Sequence, residues 1–436
     1  MDYSTKHFTN YFLPITILLV GIFNVTAFAN PSLPIMLLLD KTIIQWIASF
    51  FILAIFFLSW RFFFDKLNKK NMMVVNIYFL WTIISIIRGL LEVQGYWEWK
   101  GLISNVMGLL LMLVVYTATN KVAVQSLLSF YVRYALPLFL ILIFLITAGA
   151  YGFYLMPISF LLLFLPALST KHKIILFSFA TVVLLANLGA RSNVIKFAIP
   201  LIILLIYYLR SYLSTTILES ARLILIITPF VFFILGVTGV FNVFGMDEYI
   251  GEQNVTKTDH EGRQYEENLA GDTRTFIYVE VLQSAIQNDY WLFGRTPARG
   301  NDSPSFGAES FEFTGRYERL ANEVGIANVF TWMGVVGVIS YFLIFLHASF
   351  LAVNRSRNIY AKMLGVYVAF RWLFSWIEDV NNFTLNYFML WIMIGLCFSY
   401  SFRMMTDYEV TIWIRGVFDK RYLNFDENLK REENEK

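Results

Sequence analysis

The chain has 436 residues, of which 58% are hydrophobic and 18% aromatic, and only 15% are charged, against about 25% charged residues in a soluble domain. This composition excludes an ordinary soluble protein and is typical of a polytopic membrane protein. The net charge of +3 forms no basic stripe, so no nucleic-acid partner is expected, and the single cysteine, Cys397, excludes an intramolecular disulfide and predicts a small core residue.

Apolar segments with the length of a membrane-spanning helix, about 20 residues, recur along the chain. They predict an all-α, polytopic membrane bundle of about twelve spanning helices. The first segment lacks a small-residue cleavage site, so a retained helix is expected there and not a signal peptide. The predicted spans are residues 12–30, 42–63, 72–91, 101–119, 134–150, 152–169, 174–190, 194–209, 223–245, 322–350, 361–377 and 384–402.

One long polar run interrupts this pattern between the ninth and tenth predicted spans. It divides the chain into nine helices (1–245), a large loop (246–321), three further helices (322–402) and a charged tail (403–436). Lysines and arginines concentrate in the short loops that are cytoplasmic if the N-terminus is cytoplasmic, and this bias sets orientation. We therefore expect both termini in the cytoplasm and the large loop outside. Loops of this length are uncommon and usually functional.

Inside the loop, the sequence predicts an amphipathic helix that begins near Arg274 and ends near Asn288. Asp272 is a suitable N-cap for it. Such a helix would lie on the membrane surface or on the bundle, with Arg274 at headgroup level. Its apolar face is predicted from residues at spacings of three and four: Phe276, Val279, Leu282 and Ile286.

Cations gather at the predicted outer ends of the helices. Arginine suits phosphate recognition because its guanidinium presents a fixed fork of donors. A tight turn before the eighth span adds Lys196, beside a helix N-terminus that favours anions and that Ser192 or Asn193 is suited to cap. No Asp-x-Asp pair, His-Glu-x-x-His or P-loop is present, so no metal site is expected. The arginines are Arg88, Arg191, Arg274, Arg316, Arg319 and Arg371.

Each of these cations also has a structural alternative. Arg88 can snorkel to the interface or pair with Glu92. Arg319 can pair with Glu323, four residues later on the chain. The turn with Arg191 can be an interfacial anchor, and Arg274 a solvated surface residue. The acidic residues that follow the eleventh span can form an arginine–carboxylate network with Arg371: Glu378 and Asp379.

Local patterns add a resemblance to a known family. Gly189-Ala190-Arg191-Ser192 is similar to an arginine turn before a spanning helix. Arg274, the amphipathic stretch and Trp291-Leu292-Phe293-Gly294 are similar to an "Arg … Pro-Leu-Phe-Gly" segment. Asn322 to Gly337 is similar to a "His-Asn … Gly-x-x-Gly" segment, with Gly334 and Gly337 as its glycines. From about the third span to the last, the chain therefore resembles the superfamily of Wzy-type O-antigen polymerases and O-antigen ligases.

The resemblance implies a GT-C-like glycosyltransferase of the bacterial inner membrane with a large periplasmic loop. Its members transfer a growing glycan from undecaprenyl pyrophosphate to the non-reducing-end hydroxyl of another lipid-linked repeat unit. The implied reaction is inverting and needs no metal or other cofactor, and its product is O-antigen or capsular polysaccharide. The implied partners are the lipid-linked donor and acceptor, the bilayer and a membrane protein that regulates chain length.

One departure from the family pattern bears on mechanism. The ligases place a histidine near the start of the last segment, where this chain has Glu323, and the only loop histidine is the distant His260. This favours a polymerase over a ligase. Glu323 is the candidate general base, or it orients Arg319. With Arg191 and Arg274 it forms the predicted catalytic set, and the predicted pyrophosphate-binding set is Arg88, Lys196, Arg316, Arg319, Arg371 and Asp379.

Two other function classes stay open at this point. A flippase or other transporter of lipid-linked oligosaccharides predicts cations along a path through the membrane, whereas the predicted cations lie on one face. An O-antigen ligase is separated from a polymerase by its acceptor.

Overall fold

The computed structural model describes residues 3–29, 34–187, 190–245, 247–251, 254–258, 264–268, 271–378 and 381–422. Helices dominate this part of the chain, which confirms the all-α prediction for the bundle. Among the described residues, eight helical segments are long and apolar enough to cross a membrane by length and composition. They are Tyr11–Phe28, Thr42–Phe63, Met73–Glu92, Tyr96–Ala118, Lys121–Leu142, Arg191–Tyr208, Thr215–Val237 and Gly325–Asn354.

The helices of the first half are mostly long, with several short pieces where the chain turns. They are α1 (Tyr3–Phe23), α2 (Pro34–Leu39), α3 (Thr42–Phe63), α4 (Met73–Glu92), α5 (Tyr96–Leu110), α6 (Val114–Ala118), α7 (Lys121–Phe130), α8 (Leu136–Leu142), α9 (Tyr151–Tyr154), α10 (Met156–Leu162), α11 (Thr170–Ala186), α12 (Arg191–Ile203), α13 (Leu205–Tyr208) and α14 (Thr215–Val237).

The second half contains the large loop and the last helices. Its helices are α15 (Asp247–Ile250), α16 (Thr275–Gln287), α17 (Gly307–Thr314), α18 (Gly325–Asn354), α19 (Ile359–Phe374), α20 (Leu385–Phe398), α21 (Tyr400–Arg403) and α22 (Asp407–Phe418). The loop also holds two antiparallel two-stranded sheets, which the sequence did not predict. Their strands are β1 (Asn254–Thr258) with β2 (Gln264–Asn268), and β3 (Asn301–Asp302) with β4 (Glu318–Arg319).

Four of the twelve predicted spans have no counterpart among these eight segments, and a fifth, 134–150, is displaced, because the corresponding segment is Lys121–Leu142. The predicted spans 174–190, 361–377 and 384–402 correspond to α11, α19 and α20, which have 17, 16 and 14 residues. Residues 152–169 are broken into α9, α10 and a 3-10 turn, with Pro157 and Pro166 in the first turns of the new pieces. Proline lacks the backbone N–H and clashes with the preceding turn, which favours the breaks observed there. A bundle of twelve spans stays a prediction.

The core lies where α18 packs against α4, α14, α19 and α20. Trp332, Trp372 and Trp391 are fully buried there, and the predicted core position of Cys397 is confirmed. Contacts at the two ends of α18 also define the two ends of the bundle. Gly325 at its start donates a backbone hydrogen bond to the carbonyl of Glu378 at 2.8 Å, and Asn354 at its other end donates to Glu219 at 2.6 Å. We call these the loop end and the far end.

A break inside α18 joins two of the segments that the sequence singled out. Gly334 has φ 65° and ψ −166°, so the helix is interrupted there. The chain from Trp291 to Arg295 lies against the break: Val335 N–H donates to Trp291 O at 2.9 Å, and Arg295 N–H donates to Thr331 O at 2.7 Å. A Cβ atom on Gly334 would lie 2.3 Å from Leu292 O. Only glycine therefore permits this docking.

The amphipathic helix of the loop is confirmed as α16, but the prediction of which face it buries is wrong. Asp272 accepts hydrogen bonds from the N–H groups of Arg274 and Thr275 at 3.0 and 2.9 Å and so caps the turn that leads into the helix, although the residue directly before α16 is Arg274 and not Asp272 as predicted. The predicted apolar face points largely outward, since Val279 is 45% and Ile286 73% exposed. The buried face mixes apolar and polar side chains: Ile277, Glu280, Val281, Ser284 and Ala285.

Candidate functional site

Arg274 lies at the start of α16 and reaches across to the start of α18. Its Nη1 is 2.7 Å from Glu323 Oε2, and its Nε donates to the backbone carbonyl of Ile377 at 3.3 Å. The side chain of Glu323 remains 53% exposed. This pair joins residues far apart in the sequence, and the fold explains it: α16 packs on α18, and the chain before α18 contacts the end of α19.

A second arginine holds the other carboxylate oxygen of Glu323. Arg319, at the end of β4, places Nη2 at 3.4 Å from Glu323 Oε1, and its guanidinium lies 4.5 Å from the centre of the Phe306 ring. The pairing predicted from their spacing is confirmed. Two arginines from different elements thus converge on one accessible carboxylate. Such an arrangement can bind an anion that carries more negative charge than a carboxylate.

An ion pair between Lys196 and Glu378 lies beside this arrangement. Lys196 is buried, and its Nζ is 3.6 Å from Glu378 Oε1 and 5.4 Å from the centre of the Phe374 ring. Glu378 follows Ile377, whose carbonyl binds Arg274, and its own carbonyl accepts the N–H of Gly325. Five side chains therefore form one group at the loop end, the charge cluster: Lys196, Arg274, Arg319, Glu323 and Glu378.

Arg191 begins α12 at the loop end, five residues before Lys196, and its side chain is exposed. The expected cap from Ser192 or Asn193 is wrong. The residue before the helix is Ala190, which makes no side-chain cap. Asn193 is buried and donates to the carbonyl of Gly149 at 2.9 Å, because it packs directly against the small residue Gly152. Gly189 of the predicted arginine turn lies outside the described residues.

Arg88 and Arg316 make contacts that fasten the loop to the bundle. Arg88 donates from Nη1 and Nη2 to the carbonyls of Phe293 and Gly294 at 2.7 and 2.9 Å. The expected partner of Arg88, Glu92, accepts a hydrogen bond from Thr296 at 3.2 Å. Arg316 Nη1 is 2.9 Å from Glu98 Oε1, and Glu98 also accepts the N–H of Gln94 at the start of α5. The structure therefore assigns positioning contacts to both arginines.

Arg371 is fully buried in α19 and donates to Asn386 Oδ1 at 3.0 Å. This bond ties α19 to α20 inside the bundle. Of its two predicted acidic partners, Glu378 pairs with Lys196, and Asp379 lies outside the described residues. Because a buried charge is costly to leave without partners, we assign Arg371 to the packing of the bundle.

Sequence reasoning missed an ion network inside the loop. Arg299 forms a two-pronged ion pair with Glu318, and the Nε–Oε2 distance is 2.9 Å. Arg295 bridges Asp302 at 2.8 Å and Glu318 at 3.4 Å. The hydrogen bond with buried Glu318 raises the pKa of Arg299 above its ordinary value. No sequence signal pairs residues 19 positions apart in a loop; the pair exists because β3 and β4 align.

Asp272 places a carboxylate at the start of α16, two residues before Arg274 in the sequence. Burial opposes the ionisation of Asp272, but hydrogen bonds from Thr275, from the N–H of Arg274 and from Asn242 outweigh it and lower its pKa below the ordinary value. The carboxylate consequently fixes the backbone on both sides of Thr273 and with it the origin of the Arg274 side chain.

Among the described residues, no three His, Cys, Asp or Glu side chains form a group that could hold a metal ion. Comparison of the chain with protein-family models, curated proteins and solved structures gives no match. What the charge cluster offers chemically is two arginines at one accessible carboxylate, with the buried pair of Lys196 and Glu378 beside them.

Proposed function

We propose that the protein polymerises undecaprenyl-pyrophosphate-linked oligosaccharide repeat units into O-antigen or capsular polysaccharide. It would act at the periplasmic face of the bacterial inner membrane as an inverting, metal-independent, GT-C-like glycosyltransferase. The observation that carries the proposal is the convergence of Arg274 and Arg319 on the accessible carboxylate of Glu323. The family resemblance of the surrounding segments supports it.

The charge cluster suits a pyrophosphate leaving group. When a glycosidic bond to pyrophosphate breaks, negative charge grows on the departing oxygen, and fixed cations that stabilise this charge lower the barrier. Arg274 is held by Asp272 at its backbone and by the Ile377 carbonyl at its Nε. It is therefore preorganised, and its Nη1 reaches the exposed carboxylate of Glu323.

On this proposal, Glu323 acts once before substrate binds and once during the reaction. Before substrate binds, it neutralises Arg274 and Arg319. The pyrophosphate then takes over the guanidinium groups, and the freed carboxylate accepts the proton of the acceptor hydroxyl. That oxygen forms a bond to the anomeric carbon of the donor glycan as the bond to pyrophosphate breaks. Undecaprenyl pyrophosphate leaves, and the glycan is longer by one repeat unit.

A transporter of the same lipid-linked units is the rival function. At the far end of α14 and α18, Arg222 is buried against Glu219 and Ser349. This enclosed cation favours the polymerase, because a transport path needs cations that the substrate can reach. Arg371, between the two ends, is enclosed in the packing of α19 and α20.

The test is a polymerisation assay with purified full-length protein and a lipid-linked repeat unit, reading polymer length and released undecaprenyl pyrophosphate. Arg274→Ala is expected to slow turnover by about 10²–10³-fold, as loss of one charge-stabilising donor does. Glu323→Gln is expected to slow it by about 10²–10⁴-fold if the carboxylate is the base. Arg210→Ala is the control, since Arg210 is an exposed arginine at the far end of α13.

Wild-type turnover in Arg274→Ala would refute the site. If the wild-type protein makes no polymer but moves the lipid-linked unit across a vesicle membrane, the transporter is the correct function.

A further inference from the structure

An apolar groove runs between α14 and α16 at the loop end. Its first part has a cavity volume of about 180 Å³ and is lined by side chains that include Phe232, Val237 and Val279. A second apolar part continues beneath α16 toward Phe330 and Val338 on α18. The two parts adjoin, because they share four lining residues: Phe233, Tyr278, Leu282 and Trp376.

One end of the groove meets the charge cluster. The polar side chains in its lining are Asn242 and Thr275, which hydrogen-bond each other at 2.9 Å. Thr275 follows Arg274 in the chain. Ile377 also lines the groove, and its carbonyl is the acceptor for Arg274 Nε. Arg274 itself does not line the groove, but its guanidinium group is bonded to one residue of the polar end and adjoins another in the chain.

The groove is open to the side on which the apolar face of α16 is exposed. Val279 belongs to this exposed face and to the groove lining. On the opposite wall, Val237 of α14 also lines the groove and is 67% exposed. Exposed apolar side chains on both walls allow a hydrocarbon chain to enter sideways from a bilayer. A ligand that fills the groove and reaches its polar end must have a long apolar chain and an anionic head.

We infer that this groove binds the polyprenyl chain of the glycan donor, with the pyrophosphate at Arg274. The inference rests on the proposed function, and it assigns the groove to the donor and not to the acceptor. The reason is that the leaving pyrophosphate belongs to the donor, and Arg274 is the cation that joins the charge cluster to the groove. The chain then acts as an anchor that delivers the scissile bond to Glu323.

The test compares two donors with the same glycan and pyrophosphate, one with the full-length polyprenyl chain and one with a short prenyl chain. Val237→Trp and Leu282→Trp fill the groove from α14 and α16. Ile234→Trp is the matched control, because Ile234 is 59% exposed on α14 but does not line the groove. The assay measures kcat and KM for each donor with full-length protein in lipid nanodiscs.

Both groove variants are expected to raise the KM for the long-chain donor by about tenfold or more, as crowding of an apolar pocket does. The kcat with that donor and the kinetics with the short-chain donor should stay at the wild-type level, since only chain binding is lost. The inference is overturned if KM changes equally for both donors, or if the variants behave like Ile234→Trp.

A binding measurement without turnover separates the groove from the proposed function. A photoreactive polyprenyl pyrophosphate, added to the wild-type protein in vesicles, should label α16 and the end of α14 near Val237. Labelling spread evenly along exposed α14 residues such as Ile224 and Ile227 would overturn the groove assignment, even for an active polymerase. Selective labelling of a protein that makes no polymer would support the groove and refute the proposed function.

Discussion

Gly334→Ala should release the loop from the bundle. The backbone of Gly334, with φ 65° and ψ −166°, lies in a region that only glycine adopts readily, and holding another residue there costs about 1–3 kcal/mol. The added Cβ would also lie 2.3 Å from Leu292 O and 2.4 Å from Gly294 N, far inside the usual contact of about 3.5–4.0 Å. Strain and overlap together should weaken docking of the loop by at least about 3 kcal/mol.

Hydrogen exchange measures this loss directly. The amides of Arg295 and Val335 donate across the junction, so they exchange only when the segment lifts from α18. A loss of about 3 kcal/mol raises the lifted population by about 100-fold, since 1.4 kcal/mol is a factor of ten. Gly95→Ala is the control, because a Cβ there meets nothing within 4 Å. Unchanged exchange at both amides in folded Gly334→Ala would refute the docking account.

Three further predictions concern how the loop is held. Arg88→Ala should speed exchange at the same junction, because two charge-assisted hydrogen bonds are lost, each worth about 1.5–3 kcal/mol; Arg88→Lys should restore it only in part, and an unchanged alanine variant would contradict this. Asp272→Ala should destabilise the start of α16 by about 0.5–2 kcal/mol, read as faster exchange of its first amides. Since the folded pKa of Asp272 is lowered, the wild-type cap should be fully present above the ordinary pKa of 3.8 and lost as the pH falls through the lower folded value; a cap that weakens on raising the pH from 4 would contradict the assignment. Glu318→Gln should make the loop sensitive to limited proteolysis, because Arg299 loses its carboxylate partner and a broken buried pair costs about 3–5 kcal/mol; the exposed Glu312→Gln is its control, and equal cleavage rates would argue against the network.

Local patterns predicted much of the helical framework. Hydropathy gave Thr42–Phe63 with the observed bounds, and the spacing of apolar residues gave α16 to within a residue or two. It failed where the chain is apolar on every side. Residues 152–169 read as one span because Pro157 and Pro166 are embedded in apolar sequence, although each starts a new helical piece.

The outward orientation of Val279 and Ile286 was not predictable from periodicity. A pattern of apolar positions identifies a face but not the neighbour that the face meets. In α16 the inward face instead carries Glu280, which accepts hydrogen bonds from Ser303 and Ser305 of the same loop. These partners compensate the burial of its carboxylate, and the apolar stripe is left at the groove.

Part of the candidate site was within reach of sequence reasoning. Arg319 and Glu323 lie four residues apart, and their pairing was predicted. The contact of Arg274 with Glu323 and the pair of Lys196 with Glu378 depend on helices far apart in the chain. Arg88 shows the converse limit: it lies near the end of α4 that faces the loop, and its side chain binds the carbonyls of Phe293 and Gly294, contacts that a pattern of charges does not specify.

The most direct test of the central claim uses the envelope glycan of a strain that lacks this gene. The strain is complemented with the wild-type protein or with Arg274→Ala, and the glycan is separated on a gel. The account predicts a ladder of repeat units with the wild-type protein, and single repeat units on the outer surface with Arg274→Ala at equal expression. A full ladder with Arg274→Ala, or lipid-linked units trapped inside the strain that lacks the gene, would contradict it.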